Sequence, residues 1–169
     1  MRMLRFALAA LAVTAVAATG FSASAAGPAA PAQERDIVDT AVAAGSFKTL
    51  TKLLTRADLV DALREPGPYT VFAPTDAAFA KVPKRKLNAL KRNPEKLRAV
   101  LLYHVAAGRL EAEDVVERSH IKTLSGRRVR IRVTNSKVFV NRARITTPDV
   151  GAANGVIHVI DRVLLPHRR

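Results

Sequence analysis

Cysteine and tryptophan are both absent from this chain of 169 residues, and aromatics are few, six Phe and two Tyr. Without cysteine there is no disulfide, no thiolate nucleophile and no zinc–thiolate site. An exported domain of this kind is held by its core alone. The scarcity of aromatics weighs against nucleic acid, because single strands bind on stacking platforms and none is interleaved with the basic residues here. There is no glycine-rich phosphate loop. No two histidines stand at metal-ligand spacing, and Glu111, Glu113 and Asp114 lack the glycine turn of a calcium loop. No repeat recurs at periods of about 20–50 residues. Acid is missing over one long interval: between Glu117 and Asp149 the chain has none.

What is present begins with Met1-Arg2-Met3-Leu4-Arg5, an apolar run from Phe6 to Thr19, and the small-residue stretch Gly20-Phe21-Ser22-Ala23-Ser24-Ala25-Ala26. That order is the plan of an export signal, with Ala23-Ser24-Ala25 or Ser24-Ala25-Ala26 at the cleavage point. The alternative is a membrane anchor, but the run has 14 residues against the roughly 20 that span a bilayer. No second apolar run follows. The reading is a signal peptide over 1–26, a Pro/Ala-rich flexible leader over 27–35, one domain over 36–166 and a basic tail over 167–169. Export to the periplasm or the cell exterior is expected, with no transmembrane anchor. The 143 residues after Ala26 suffice for one domain burying about two-thirds of its unfolded surface.

The formal net charge is +14, from 28 Lys and Arg against 14 Asp and Glu, and falls to +12 once Arg2 and Arg5 leave with the signal. The acid-free interval holds nine bases: Arg118, Lys122, Arg127, Arg128, Arg130, Arg132, Lys137, Arg142 and Arg144. Such an excess attracts anionic partners at long range, with strong salt dependence. A solvated basic surface without a partner is the other reading, and composition leaves both open.

Asp36 is placed to cap a first helix, with Ile37, Val38, Ala41 and Val42 on one face, and Gly45 stops it. Ser46 is placed to cap a second, with Phe47, Leu50, Leu53 and Leu54 at helical spacing. Leu59, Val60 and Leu63 make a third short amphipathic piece before Pro66-Gly67-Pro68. Thr70-Val71-Phe72 reads as strand. Pro74-Thr75-Asp76 then breaks it, with Thr75 as a helix cap and Asp76 suited to the helix dipole. Lys84-Arg85-Lys86 is a basic cluster. Asn93-Pro94-Glu95 is a strong helix start, followed by the stripe Leu97, Val100 and Leu101. The run Leu101-Leu102-Tyr103-His104-Val105 reads as helix giving way to buried strand, ended by Gly108. Glu111 to Val116 reads as a short acidic helix.

From Arg128 to Val133 bases and aliphatics alternate strictly, a strand with one wet face. Thr134-Asn135-Ser136-Lys137 is a turn, and Val138 to Asn141 the returning strand. Continued alternation puts Val138, Val140, Arg142 and Arg144 on one side. An ordinary register then joins Arg128, Arg130 and Arg132 to Arg142 or Arg144 on a shared basic face. Asn154-Gly155 is a turn signal, and Val156 to Leu165 a long apolar strand closed by Pro166.

Three segments, TVFAPTDAAF (70–79), LLYHVAAGRL (101–110) and NGVIHVIDRVLLP (154–166), together resemble the fasciclin, or FAS1, domain in order and spacing. The resemblance covers Asp36 to Pro166 in a single copy and is to a secreted bacterial member with one such domain. It implies an α+β fold, a wedge or sandwich of β-strands with helices packed at one side. It also implies that Thr75 and Asp76 are a helix cap. Where the family often carries Glu or Asn after this pair, Asp76-Ala77-Ala78 stands here, so the reciprocal capping box is missing. In animal relatives a tyrosine–histidine pair flanked by aliphatics is implicated in integrin-type adhesion, and Tyr103-His104 matches it.

A catalytic triad needs a nucleophile, a histidine in reach and an orienting group. His167 lies in the tail, His120 precedes a strand, and His158 and Asp161 point to opposite faces of one. His104 sits in an apolar run, where a buried histidine bonded within the core is the plain reading. No enzyme, cofactor or metal is expected. The resemblance implies a non-enzymatic module for cell adhesion or cell-surface and matrix association, binding surface or matrix proteins, with Tyr103 and His104 as its candidate site. The alternative is binding of an acidic polysaccharide or anionic envelope polymer on Arg128, Arg130, Arg132, Arg142 and Arg144.

Overall fold

Short-range hydrogen bonding sets most of the helix starts, and those follow the sequence. In the computed structural model, which describes residues 35–166, the Asp36 carboxylate accepts from the Asp39 amide to begin α1 (Ile37–Ala43). The predicted signal peptide, the leader up to residue 34 and the tail 167–169 lie outside the described residues. Thr75 accepts from the Ala78 amide to begin α4 (Asp76–Ala80). Asn93 accepts from the Lys96 amide to begin α6 (Pro94–Leu102), with Pro94 in the first turn. Each is a three-residue reach from a cap side chain, the geometry that makes caps readable.

The second helix does not follow that rule. α2 (Lys48–Arg56) has Phe47 at its cap position with no capping side chain, and Ser46 turns back to the Ala44 carbonyl. The missing acceptor comes from 27 residues away: Asp76 Oδ1 takes the Thr49 amide at 2.8 Å, and the Asp76 amide donates to the Ser46 carbonyl at 2.9 Å. Hydrogen bonding from Thr49 lowers the Asp76 pKa, against partial desolvation. The Pro74-Thr75-Asp76 junction therefore starts two helices at once, α4 through its hydroxyl and α2 through its carboxylate. After α3 (Val60–Arg64), β1 (Tyr69–Pro74) enters the sheet, and α5 (Lys84–Lys91) fills the interval before α6.

The remaining strands are β2 (Val105–Ala107), β3 (His120–Lys122), β4 (Arg128–Thr134), β5 (Lys137–Val140), β6 (Ala143–Ala152) and β7 (Gly155–Ile160), with α7 (Ala112–Glu117) between β2 and β3. They form one seven-stranded sheet in the order β2-β1-β7-β6-β5-β4-β3. Only β1 and β7 run parallel, with Tyr69 opposite Gly155 and Pro74 opposite Ile160. A bridge between Ala106 and Thr123, with the Leu124 amide on the Val105 carbonyl, brings the two ends of the sheet together. The sheet is thus rolled into a near-barrel wedge with helices on one side, as the α+β expectation had it.

Alternation along β1 divides the interior. Phe72 packs inside the roll with Ala106, Val129, Ile131, Val140 and Ile160. Val71 and Ala73 face the helices, with Ile37, Leu50, Leu54, Leu101 and Ile157. β1 is therefore buried on both faces, which is why Val71, Phe72, Ala73 and Pro74 follow one another without a polar residue and the one polar side chain before them, Thr70, is hydrogen-bonded.

Two strand expectations need correction. The apolar run from Val156 to Leu165 is not one strand, because β7 ends at Ile160. Beyond it the Asp161 side chain accepts from the Arg144 amide, and the chain turns away while keeping Leu164 buried. The alternation from Val138 to Arg144 is also interrupted. Asn141 adopts φ +56° and forms a tight turn with Arg142, pairing Val140 with Ala143.

Asp76→Ala removes the only side-chain cap of α2 while leaving α4 capped by Thr75. We expect a loss of about 1 kcal/mol or somewhat more in urea unfolding, the scale of a single N-cap. A variant as stable as the parent would show that α2 does not depend on this contact.

Candidate functional site

Two histidines, His104 and His158, and the Tyr103 beside the first of them lead inward. Tyr103 and His104 fall at the C-terminal end of α6, just before β2, and are 4% and 2% exposed. His104 Nδ1 donates to the Val100 carbonyl at 2.7 Å, and its Nε2 accepts from the Leu164 amide at 2.9 Å. That pair of bonds holds one neutral tautomer and ties α6 to the segment after β7. The Tyr103 hydroxyl donates to the Arg128 carbonyl at 3.2 Å and accepts from Asn141 Nδ2 at 3.0 Å, tying α6 to the β5–β6 turn. Neither side chain reaches the surface.

His158, on β7 inside the roll, stacks on Phe72 with ring centroids 5.7 Å apart. Its Nε2 donates to the Leu110 carbonyl at 2.8 Å, and Nδ1 accepts from the Asp149 amide at 3.3 Å. An irregularity in β6 around Pro148 turns that amide inward, and Asp149 itself has φ +55°. Thr70 donates to the Gly108 carbonyl and accepts from the Leu110 amide. Among the described residues no buried side-chain nitrogen or oxygen lacks a partner. The Asn154-Gly155 turn works in the same way. Asn154 accepts from the Ile37 amide and donates to the Leu63 and Glu65 carbonyls. At Gly155 a side chain would run into the Tyr69 carbonyl, so the turn requires glycine.

The bases lead outward. Cross-strand pairing sets His120 opposite Arg130, Lys122 opposite Arg128, Arg132 opposite Phe139, Thr134 opposite Lys137, and Phe139 opposite Arg144. One sheet face thus carries Lys122, Arg128, Arg130, Arg132, Lys137 and Arg144, all exposed, around the partly buried Phe139. Of the predicted face, Arg128, Arg130, Arg132 and Arg144 come together, but Arg142 does not. It lies in the turn, and Val138 and Val140 point to the opposite side from Arg144. Lys137 and Phe139 were legible from the hairpin register, since a turn at Asn135-Ser136 pairs Thr134 with Lys137, whereas Lys122 joins the face through the separate pairing of β3 with β4. Among the described residues none of these six cations is in an ion pair. Like charges set opposite one another, as Lys122 and Arg128 are, destabilise a sheet.

Among the described residues no group of three or more His, Asp or Glu could hold a metal ion, and no helix is long and apolar enough to cross a membrane.

Burial lowers the pKa of His104 from 6.5 to about 4, opposed by the Val100 carbonyl. Burial also lowers that of His158, opposed by the Leu110 carbonyl and the Asp149 charge. Both rings are neutral in the fold, so between these values the unfolded chain binds more protons. For His104 the stability this confers is complete above pH 6.5 and is lost as the pH falls towards 4, and His158 acts in the same direction. For His104 alone this amounts to about 3 kcal/mol. Urea unfolding across that window should show the slope, and a folded His104→Gln variant should show much less of it. Parallel pH profiles for the two proteins would rule out His104 as its source.

The Fasciclin domain family matches residues 45–166. The chain is 43% identical over 130 residues to an uncharacterized protein, sll1735, of Synechocystis, an alignment covering 77% of this chain and 97% of that one. It is 37% identical over 134 residues to the immunogenic protein MPB70 of Mycobacterium bovis, covering 75% and 68%. Among solved structures, a FAS1 domain pair from the insect cell adhesion molecule fasciclin I superposes with a TM-score of 0.65 at 19% identity, over 78% of this chain and 51% of the pair. That last likeness is one of fold. The three segments that carry the resemblance in the sequence are the neighbouring strands β2, β1 and β7 and their flanks, and the chain belongs to the fasciclin domain family.

Proposed function

We propose that the protein works by binding alone, as an exported module that associates with a cell surface or matrix through contacts with surface or matrix proteins. The observation that carries this reading is the engagement of the polar interior. His104, His158, Tyr103 and Thr70 have the chemistry of a catalytic centre. Yet both ring nitrogens of each buried histidine are held by main-chain groups at 2.7 to 3.3 Å. A hydrolase needs a nucleophile within reach of a base that has a lone pair available, and neither ring offers one. Membership of a family whose fold is found in an insect cell adhesion molecule supports the same reading.

A second reading rests on the basic sheet face. Six exposed cations without ion-pair partners repel one another, and an anionic polysaccharide or envelope polymer laid across them relieves that repulsion. On this reading Arg128→Gln, Arg130→Gln and Arg132→Gln together leave stability unchanged or raise it slightly. Retention on a heparin matrix, by contrast, falls and loses its salt dependence. Retention indifferent to salt, or to the three substitutions, removes the polyanion reading. Adhesion to cells or matrix should survive those substitutions; its loss together with heparin retention removes the protein-contact reading. Turnover of simple esters that disappears in a folded His104→Ala variant overturns the binding-only proposal as a whole.

A further inference from the structure

The Tyr103 and His104 ties also shape a groove at the β5–β6 turn, on which Arg142 lies. A groove of about 780 Å³ runs between α5 and α6 on one side and the segment 162–166 with the β5–β6 turn on the other. This is within the roughly 300–1,000 Å³ of small-ligand sites. Its floor is apolar. Ala89 and Ala99, exposed on adjacent helices, leave the width, and Leu90, Val100, Leu164 and Leu165 line it. Its rim carries Lys86, Lys96, Arg127, Arg142 and Arg162 and no acidic side chain. Among the described residues Lys86, Lys96, Arg142 and Arg162 form no ion pair.

The two buried side chains brace the two walls. Val100 on the helix wall and Leu164 on the facing wall are joined through the His104 ring. Asn141, at the turn, is held by Tyr103, and its own Oδ1 accepts from the Arg130 amide at 2.9 Å. The groove is therefore held open by buried hydrogen bonds and is not a gap between loose segments. Its chemistry is that of a slot with a dry floor and a cationic mouth. Acyl chain matches the floor, and a carboxylate matches the rim.

We propose that this groove binds a single-chain anionic amphiphile, a free fatty acid, with its chain against Ala89, Ala99, Leu90 and Leu165 and its carboxylate among Lys86, Arg142 and Arg162. Arg142, which the turn removes from the basic sheet face, finds its role here. The reading is independent of the surface-association proposal.

The test is titration of the full chain with the fluorescent fatty acid dansylaminoundecanoate. Saturable binding at one site is expected, displaced by palmitate and much less by hexadecanol, which lacks the charge. Ala99→Trp places bulk in the groove at an exposed helix position and should abolish binding without unfolding the protein. Lys86→Gln, Arg142→Gln and Arg162→Gln together should weaken it about tenfold, each exposed cation contributing a modest share. Heparin retention should be unchanged in Ala99→Trp, which separates failure of this proposal from failure of the surface reading. Full binding in Ala99→Trp overturns the proposal, as does equal displacement by hexadecanol. Binding only to vesicles of phosphatidylglycerol, with none of the free acid, reassigns the groove to a membrane surface and also overturns it. Binding that appears only after removal of residues 1–34 assigns the groove to that segment instead.

Discussion

The parallel pairing of β1 with β7 is the constraint on which the rest depends. Residues 69–74 lie beside 155–160, so the first and last strands among the described residues are zipped together. Every other strand pair is antiparallel and reached by a local turn or by the flanking β2. Burying both faces of β1 commits Val71 and Ala73 to the helical core and Phe72 to the interior of the roll. Two hydrophobic cores thus meet at β1, with β2 and β7 beside it also contributing to both.

Around that pair, the interior polar groups act as ties between segments distant in sequence. Asp76 binds the start of α2, Asn154 binds α1 and the end of α3, His104 binds α6 to the final segment, and His158 binds the loop before α7. Each ends on a main-chain amide or carbonyl. For the two buried histidines, inside a low-dielectric core, such bonds hold one arrangement firmly, because leaving either partner unpaired costs about 1–3 kcal/mol. Two features are left at the surface, a basic sheet face and a groove with an apolar floor.

The helix starts at Asp36, Thr75 and Asn93 were legible because their hydrogen bonds span three residues, and sequence carries such information directly. So were the alternating strand at 128–133 and the turn at Asn135-Ser136, where two positive φ angles suit a tight hairpin. The start of α2 was misread through Ser46, since its acceptor comes from another part of the chain. The basic face was read with one wrong member. Nothing in the string VNRAR marks where the strand stops, and the turn at Asn141 is held by the Arg130 amide and the Tyr103 hydroxyl, both remote in sequence. The groove had no sequence signature, because its walls come from four separate stretches of chain.

The sequence by itself determined the class of fold, the family, the absence of thiol chemistry, the placement of locally capped helices and the concentration of positive charge in the second half. These follow from composition, period and short-range bonding, which a linear string records. Tertiary structure alone decided which distant main-chain groups hold Tyr103 and His104, that Arg142 leaves the sheet face for the rim of a groove, and that Asp76 serves a helix that precedes it. Those outcomes depend on which distant segments meet, and that is set by the strand pairing and by burial, not by neighbours along the chain.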